Sequence, residues 1–284
     1  MTATDTASPD KDQKVLVEQV QDLRAEGDEL YNLFSGMDNS FWNQSTTFKN
    51  WSVWDVLAHL HFSDYMALTC LRSASEFKTL AADITRAGAL GAFTNQWLMR
   101  DREQPFTGPE LLQRWRDMFI EMCEQLAAAD PNERFVWFGP GMKARMFTTA
   151  RQMETWAHGW EIYDLLGVPR KHSDRLRHIA TIGARTYGWT FTNRNLPVPE
   201  PAPYVRLLAP SGAIWEFNEP DPDHRIEGSA VEFCQVVTQV RNIADTGLVL
   251  RGNNAIAWME IAQCFAGTPE DPPPAGSREN ATAT

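Results

Sequence analysis

The chain has 284 residues, 43% hydrophobic and 22% charged, with a formal charge of −11 at pH 7. That length suits one large domain or two ordinary ones. The acidic balance argues against a nucleic-acid partner, which calls for a basic face, and no apolar run approaches the ~18 residues that span a bilayer.

Residues 1–11 are polar, lack the apolar core of a secretory signal, and read as a disordered leader; the cytoplasm is the expected compartment. From Lys14 to Phe34 the apolar positions Val15, Val17, Val20, Leu23, Leu30, Leu33 and Phe34 predict an amphipathic helix. After a polar connection, a second helix is expected from Val53 to Arg72, opened by the capping-box pattern Ser52-Val-Trp-Asp55. Residues 75–103 read as shorter helical pieces broken near Gly88 and Gly91. Pro109 opens a helix that Asp130-Pro131 stops near Ala129. The connection 131–148 is expected to be a loop. A last long helix is expected from about Ala150, with Thr149-Ala-Arg-Gln152 as its capping box, to Leu166 before Gly167 and Pro169. In an up-down-up-down bundle of these principal helices, the second and last run parallel.

After Pro169 the pattern changes. A helix from Ser173 to about Thr190 precedes a proline-rich stretch. Tyr204–Leu208 and Ala213–Phe217 then flank Pro210-Ser-Gly212 as a hairpin, and Arg225-Ile-Glu is a third strand. Helices at about 230–240 and 254–265 close the chain, and the composition of residues 268–284 predicts a disordered tail. The expected fold is α+β: a helix bundle over 12–170 and a smaller α+β domain over 171–267.

The chemistry concentrates in Glu154 and His158, four apart on one helix, and in the distant His59. Residues four apart share a helix face and can chelate one ion. Two imidazoles and a carboxylate hold a divalent metal and leave positions open for water or substrate. Counted from Ser52 and Thr149, His59 lies seven residues into its helix, and Glu154 and His158 five and nine. At about 1.5 Å per residue these are depths of roughly 10, 7 and 13 Å, one layer of a parallel pair. Each residue also has a bland alternative, as a surface or core side chain. His61, two positions from His59, points to the other side of its helix. Asp64 and Asp164 read as solvated or capping, and His172, His178 and His224 have no partner at metal spacing. Cys70, Cys123, Cys234 and Cys264 form no Cys-x-x-Cys pair and read as buried free thiols. Eleven tryptophans, Trp51, Trp54, Trp156 and Trp160 among them, fill the core or wall a pocket near the metal.

The run Trp51-Ser-x-x-Asp-Val-Leu-Ala-His59-Leu with Arg151-Gln-Met-Glu154-Thr-Trp-Ala-His158-Gly resembles the DinB-like bundle of mycothiol-dependent maleylpyruvate isomerases. The segment from Phe233 to Gly267 is similar to a two-domain subgroup of that family. The resemblance implies zinc held by His59, Glu154 and His158, and mycothiol or a similar thiol as cofactor. It implies cis–trans isomerisation of, or S-transfer to, an electrophilic small molecule, and a sterol-carrier-like second domain. Where the family commonly has Asp, this chain has Glu161, a candidate proton-handling or ligand-orienting group, with Trp160 before it. Arg241 is a candidate for gripping a carboxylate of substrate or thiol cofactor, and Lys143 and Arg145 are candidates for the cleft mouth. The expected partners are a small-molecule substrate and the thiol, in a monomer or homodimer. Three rival readings stay open: a thiol-independent hydratase, lyase or hydrolase using metal-bound water, a non-haem iron oxygenase, and a non-enzymatic lipid or small-molecule carrier.

Overall fold

The computed structural model describes residues 9–88, 90–99, 103–139 and 141–278. Most of the expected leader and the end of the expected tail lie outside these. The described residues form two compact units, those within 1–45 and 50–155 and those within 46–49 and 156–284.

The first unit is helical. It contains α1 (Pro9–Ser35), α2 (Val53–Arg72), α3 (Ala74–Ala87), α4 (Leu90–Met99), α5 (Gly108–Ala128) and the first half of α6 (Ala144–Leu166). Two starts follow the sequence signals. The Ser52 hydroxyl accepts from the Asp55 amide while the Asp55 carboxylate accepts from the Ser52 amide. Thr107 and Glu110 cap α5 in the same way, with Pro109 in its first turn. The α1 stripe centres on Leu16, Val20, Leu23, Leu30 and Phe34, all buried. It packs tightly on α5: a Cβ built on Gly27 would stand 2.2 Å from the Phe119 ring.

Helix directions follow from the side-chain pairings. Gln13 donates to the Ala127 carbonyl, and Asp28, farther along α1, pairs with Arg116, earlier in α5; these two helices are antiparallel. The Trp54 indole donates to Phe106 O, Trp115 to Asp64, and Arg72 to Glu121, so α2 and α5 run parallel. His59 meets Glu154, while Asp64, five residues on, meets Arg151, three residues back, so α6 opposes α2. The order is therefore up, down, down, up. The parallel relation expected for α2 and α6 is incorrect. The cause is the 74–99 segment, where α3 and α4 carry the chain back to the end at which α2 begins.

The start of α6 also differs from expectation. Residues 131–143 contain a short antiparallel ladder, β1 (Arg134–Phe135) with β2 (Met142–Lys143), which leads directly into the helix at Ala144. Thr149 is thus inside α6 and caps nothing. Its hydroxyl is buried, bonded to Gln19 of α1 and to the Arg145 carbonyl.

The second unit holds the rest of α6, which ends at Gly167 in the left-handed conformation (φ 62°). The expected helix after Ser173 is α7 (Arg177–Arg185) and α8 (Tyr187–Thr192), broken at Thr186. A four-stranded sheet follows, with β3 (Tyr204–Leu208), β4 (Ile214–Phe217), β5 (Arg225–Ser229) and β6 (Val249–Arg251) in the order β4-β3-β5-β6. β3 is antiparallel to β4 and parallel to β5. Val205, Leu207, Trp215 and Ile226 alternate inward and are buried, and α9 (Ala230–Val237) and α10 (Asn253–Met259) complete this α+β unit. Both helices are shorter than expected, and β6 went unexpected. Residues 268–278 have no helix or strand, and Arg278 at their end is only 5% exposed. Among the described residues no helix is long and apolar enough to cross a membrane.

Candidate metal centre

His59 sits on the second turn of α2, and Glu154 and His158 occupy consecutive turns of α6. His59 Nε2 and Glu154 Oε2 are 3.6 Å apart. One donor atom from each of the three residues can be chosen so that all lie within 4.8 Å of one another. Nitrogen and oxygen donors bound at about 2.0–2.2 Å to one ion stand roughly 3.3–4.2 Å apart. Small torsions therefore bring this set onto a divalent cation. The donor chemistry fits zinc, which accepts imidazole and carboxylate in sites that keep a position open.

Aromatic rings back both imidazoles. Trp51 lies 5.3 Å from the His59 ring, and Phe48 meets His158 edge-on at 5.3 Å. Between Phe48 and Trp51 the chain turns through Lys49 and Asn50, both left-handed (φ 52° and 55°). Non-glycine residues rarely adopt this conformation, which concentrates at functional sites.

Beside the three candidate ligands lies a buried ionic cluster that the sequence reading missed. Arg151, one turn before Glu154, donates to Asp64 Oδ1 at 2.8 and 3.2 Å, and the Trp115 indole donates to Asp64 Oδ2 at 3.0 Å. Asp64 is fully buried in the middle of α2 and Arg151 is only 2% exposed, so Asp64 is neither the solvated nor the capping group expected. Burial pushes the Asp64 carboxyl upward, and the Arg151 charge beside it works against that rise. His61 is buried against Trp97, 5.3 Å away, as its helical position implied.

The other candidates fall elsewhere. Glu161 is buried and paired with Arg278; burial raises its carboxyl, and the Arg278 guanidinium opposes the rise. Arg241 is fully buried and forms a two-pronged pair with Asp164 at 2.6 and 2.8 Å. Its guanidinium is committed to that carboxylate rather than open to a ligand, and Asp164 is not a solvated group. Trp160 does not wall an open pocket: it is 7% exposed and packed among Arg170, Arg241 and His172. Lys143 and Arg145 are exposed, with Lys143 donating to Asn132 Oδ1. None of the four cysteines forms a disulfide, and all are buried. Burial pushes the Cys70 thiol up to about 11 and Cys123 to about 12, and Cys234 rises well above the ordinary range.

Residues 23–163 match the family described as the mycothiol maleylpyruvate isomerase N-terminal domain. The chain is 36% identical over 252 residues to protein Rv0036c of Mycobacterium tuberculosis strain H37Rv, covering 88% of this chain and 96% of the relative. Its counterpart in strain CDC 1551 matches equally. Among solved structures, the crystal structure of the mycothiol-dependent maleylpyruvate isomerase aligns over 83% of this chain and 91% of that one, with a TM-score of 0.48 and 11% identity.

Proposed function

The chain belongs to the mycothiol-dependent maleylpyruvate isomerase family, and we propose that it is a metal-dependent enzyme working with a low-molecular-weight thiol of the mycothiol class. Its reaction is cis–trans isomerisation of, or S-transfer to, an electrophilic small molecule. The convergence of His59, Glu154 and His158 carries this reading. These side chains hold a divalent ion, zinc by donor type. A bound dication supplies the acidity that converts a coordinated thiol to thiolate.

The cysteines support an external nucleophile. A thiol must be deprotonated to attack, and burial keeps Cys70, Cys123 and Cys234 protonated at neutral pH. The protein's own contribution is to bind and orient. α2 and α6 present three donors from one side, and Trp51 and Phe48 back the imidazoles with apolar surface that keeps water from their flanks.

Elemental analysis with a thiol-dependent assay tests this. The purified protein is expected to carry about one equivalent of zinc, lost in His158→Ala. With mycothiol added, it is expected to isomerise maleylpyruvate or to form a thiol adduct with 1-chloro-2,4-dinitrobenzene. Turnover of a substrate with no thiol present would refute the proposal in favour of metal-bound water. Zinc retention by both His158→Ala and His59→Ala would refute the site.

A further inference from the structure

We propose that the segment from Thr268 to Arg278 is a strap that positions His158, fastened both to α6 and to the turn that carries Phe48. The inference rests on the metal-site reading above, and every contact it uses lies within the second unit. At one end, Arg278 is buried, pairs with the Glu161 carboxylate one turn beyond His158, and donates to the Val240 carbonyl at 3.0 Å. Near the other end, the Glu270 carboxylate accepts from Lys49 Nζ at 3.0 Å. Lys49 directly follows Phe48, whose ring meets the His158 imidazole. The strap thus holds a neighbour of His158 on each side: the helical turn after it and the aromatic ring against it.

The segment is fixed along its length without helix or strand. Glu270 N donates to Gln263 Oε1 at 2.9 Å, and Gln239 Nε2 to Glu270 O at 2.7 Å. Asn242 Nδ2 donates to Pro273 O at 2.8 Å, and Gly276 N to the Asp245 carboxylate at 2.9 Å. Pro272, Pro273 and Pro274 stiffen the middle, which lowers the entropy lost on ordering it. Two of these fastenings land on the 3-10 turn Ile243–Asp245, at its N-cap Asn242 and its last residue Asp245, and none completes a sheet edge. What they deliver is the guanidinium of Arg278 to Glu161.

Metal sites tolerate donor displacements of about 0.2 Å, so a slight rotation of this α6 turn misplaces the imidazole. Arg278 touches Glu161 and acts through it, as a positioning residue. Groups that orient metal ligands from behind typically change metal affinity by about 10–100-fold when lost. In the full chain, Arg278→Ala is expected to weaken zinc binding about tenfold or more, measured by chelator competition. It is also expected to shift the visible absorption of the Co(II)-loaded protein and to speed amide exchange over residues 158–165. Glu161→Gln with Arg278→Ala leaves no unpaired buried charge, so it keeps the fold, and it should show the same zinc loss. Arg278→Lys should recover part of it. Asp174→Ala, which cuts the exposed link to Ser211 in the same unit, should leave zinc affinity and the Co(II) spectrum unchanged.

Zinc affinity within twofold of wild type in Arg278→Ala would overturn the proposal. So would full recovery in the double variant, because the cause would then be an unpaired charge and not a lost strap. A wild-type protein that takes up neither zinc nor cobalt would overturn the metal reading instead. Unchanged amide exchange in Arg278→Ala would then overturn the strap on its own.

Discussion

Replacing Arg151 by Met tests the ionic pin between α2 and α6. Asp64 is fully buried and takes its hydrogen bonds from Arg151 and Trp115. Met fills similar space and removes the cation, leaving a buried carboxylate with one neutral donor. Breaking a buried pair from one side costs about 3–5 kcal/mol. For a unit of this size each kcal/mol lowers Tm by roughly 2–4 °C, so Arg151→Met should melt about 6–20 °C below wild type near pH 8. The carboxyl can escape part of this cost by keeping its proton. Burial already raises Asp64 above its ordinary value, and losing Arg151 raises it further. An acid whose folded pKa is raised contributes stability below its unfolded pKa and loses it as pH rises through the folded value. The deficit of Arg151→Met should therefore shrink between pH 8 and pH 5. Asp64→Leu with Arg151→Met removes both charges and should recover most of the loss. Thermal and urea unfolding at both pH values measure all three variants. A Tm change under about 2 °C at pH 8, or a deficit that grows toward acid, would refute the reasoning.

Three further expectations concern other parts of the molecule. Gly27→Ala places a methyl on the Phe119 ring, and overpacking of this kind costs about 1–3 kcal/mol; equal urea midpoints for variant and wild type would contradict the close α1–α5 approach. Cys70, Cys123 and Cys234 should stay unmodified by iodoacetamide in the native protein at pH 8, read by mass spectrometry. Alkylation of Cys70 should begin only as pH nears its value of about 11. Burial and the Glu200 charge push the Tyr187 phenol up to about 12. Its stabilising contribution, intact below pH 10, should fade between pH 10 and 12, and Tyr187→Phe should flatten that part of the stability curve.

The helix start at Ser52 was legible because the cap and its carboxylate partner are three residues apart in sequence, and that of α5 because Pro109 stands in its first turn. The start of α6 was not. Thr149 has the right neighbours for a cap, but its hydroxyl is taken by Gln19, 130 residues away. The true start at Ala144 is set by the β1–β2 ladder, which leaves no capping residue to read. Three buried ion pairs escaped for the same reason. Asp64 with Arg151, Asp164 with Arg241 and Glu161 with Arg278 join positions 77 to 117 apart, and a charged residue read alone defaults to the surface. The hold on residues 268–278 was not legible in composition: prolines suggest disorder, yet they make an extended segment cheap to fix once side chains such as Asn242 and Gln239 hold it.

The convergence of His59, Glu154 and His158 was legible even though the direction of α6 was not, and the reason is geometric. A Glu-x-x-x-His pair is nearly symmetric about its midpoint along the helix axis. A third ligand level with that midpoint stands between the two donors whichever way the helix runs. Direction instead decides what lies five residues farther along α2, about 7.5 Å away. In the observed antiparallel arrangement that residue, Asp64, is level with Arg151, and the two charges neutralise each other. In a parallel arrangement Asp64 would be level with residue 161, also a carboxylate, and two buried anions would face one another at a cost of several kcal/mol. The charges at 64, 151 and 161 therefore select the direction that the ligand spacing leaves undetermined. The Asp64–Arg151 pair then fixes the axial register at which His59 meets Glu154 and His158.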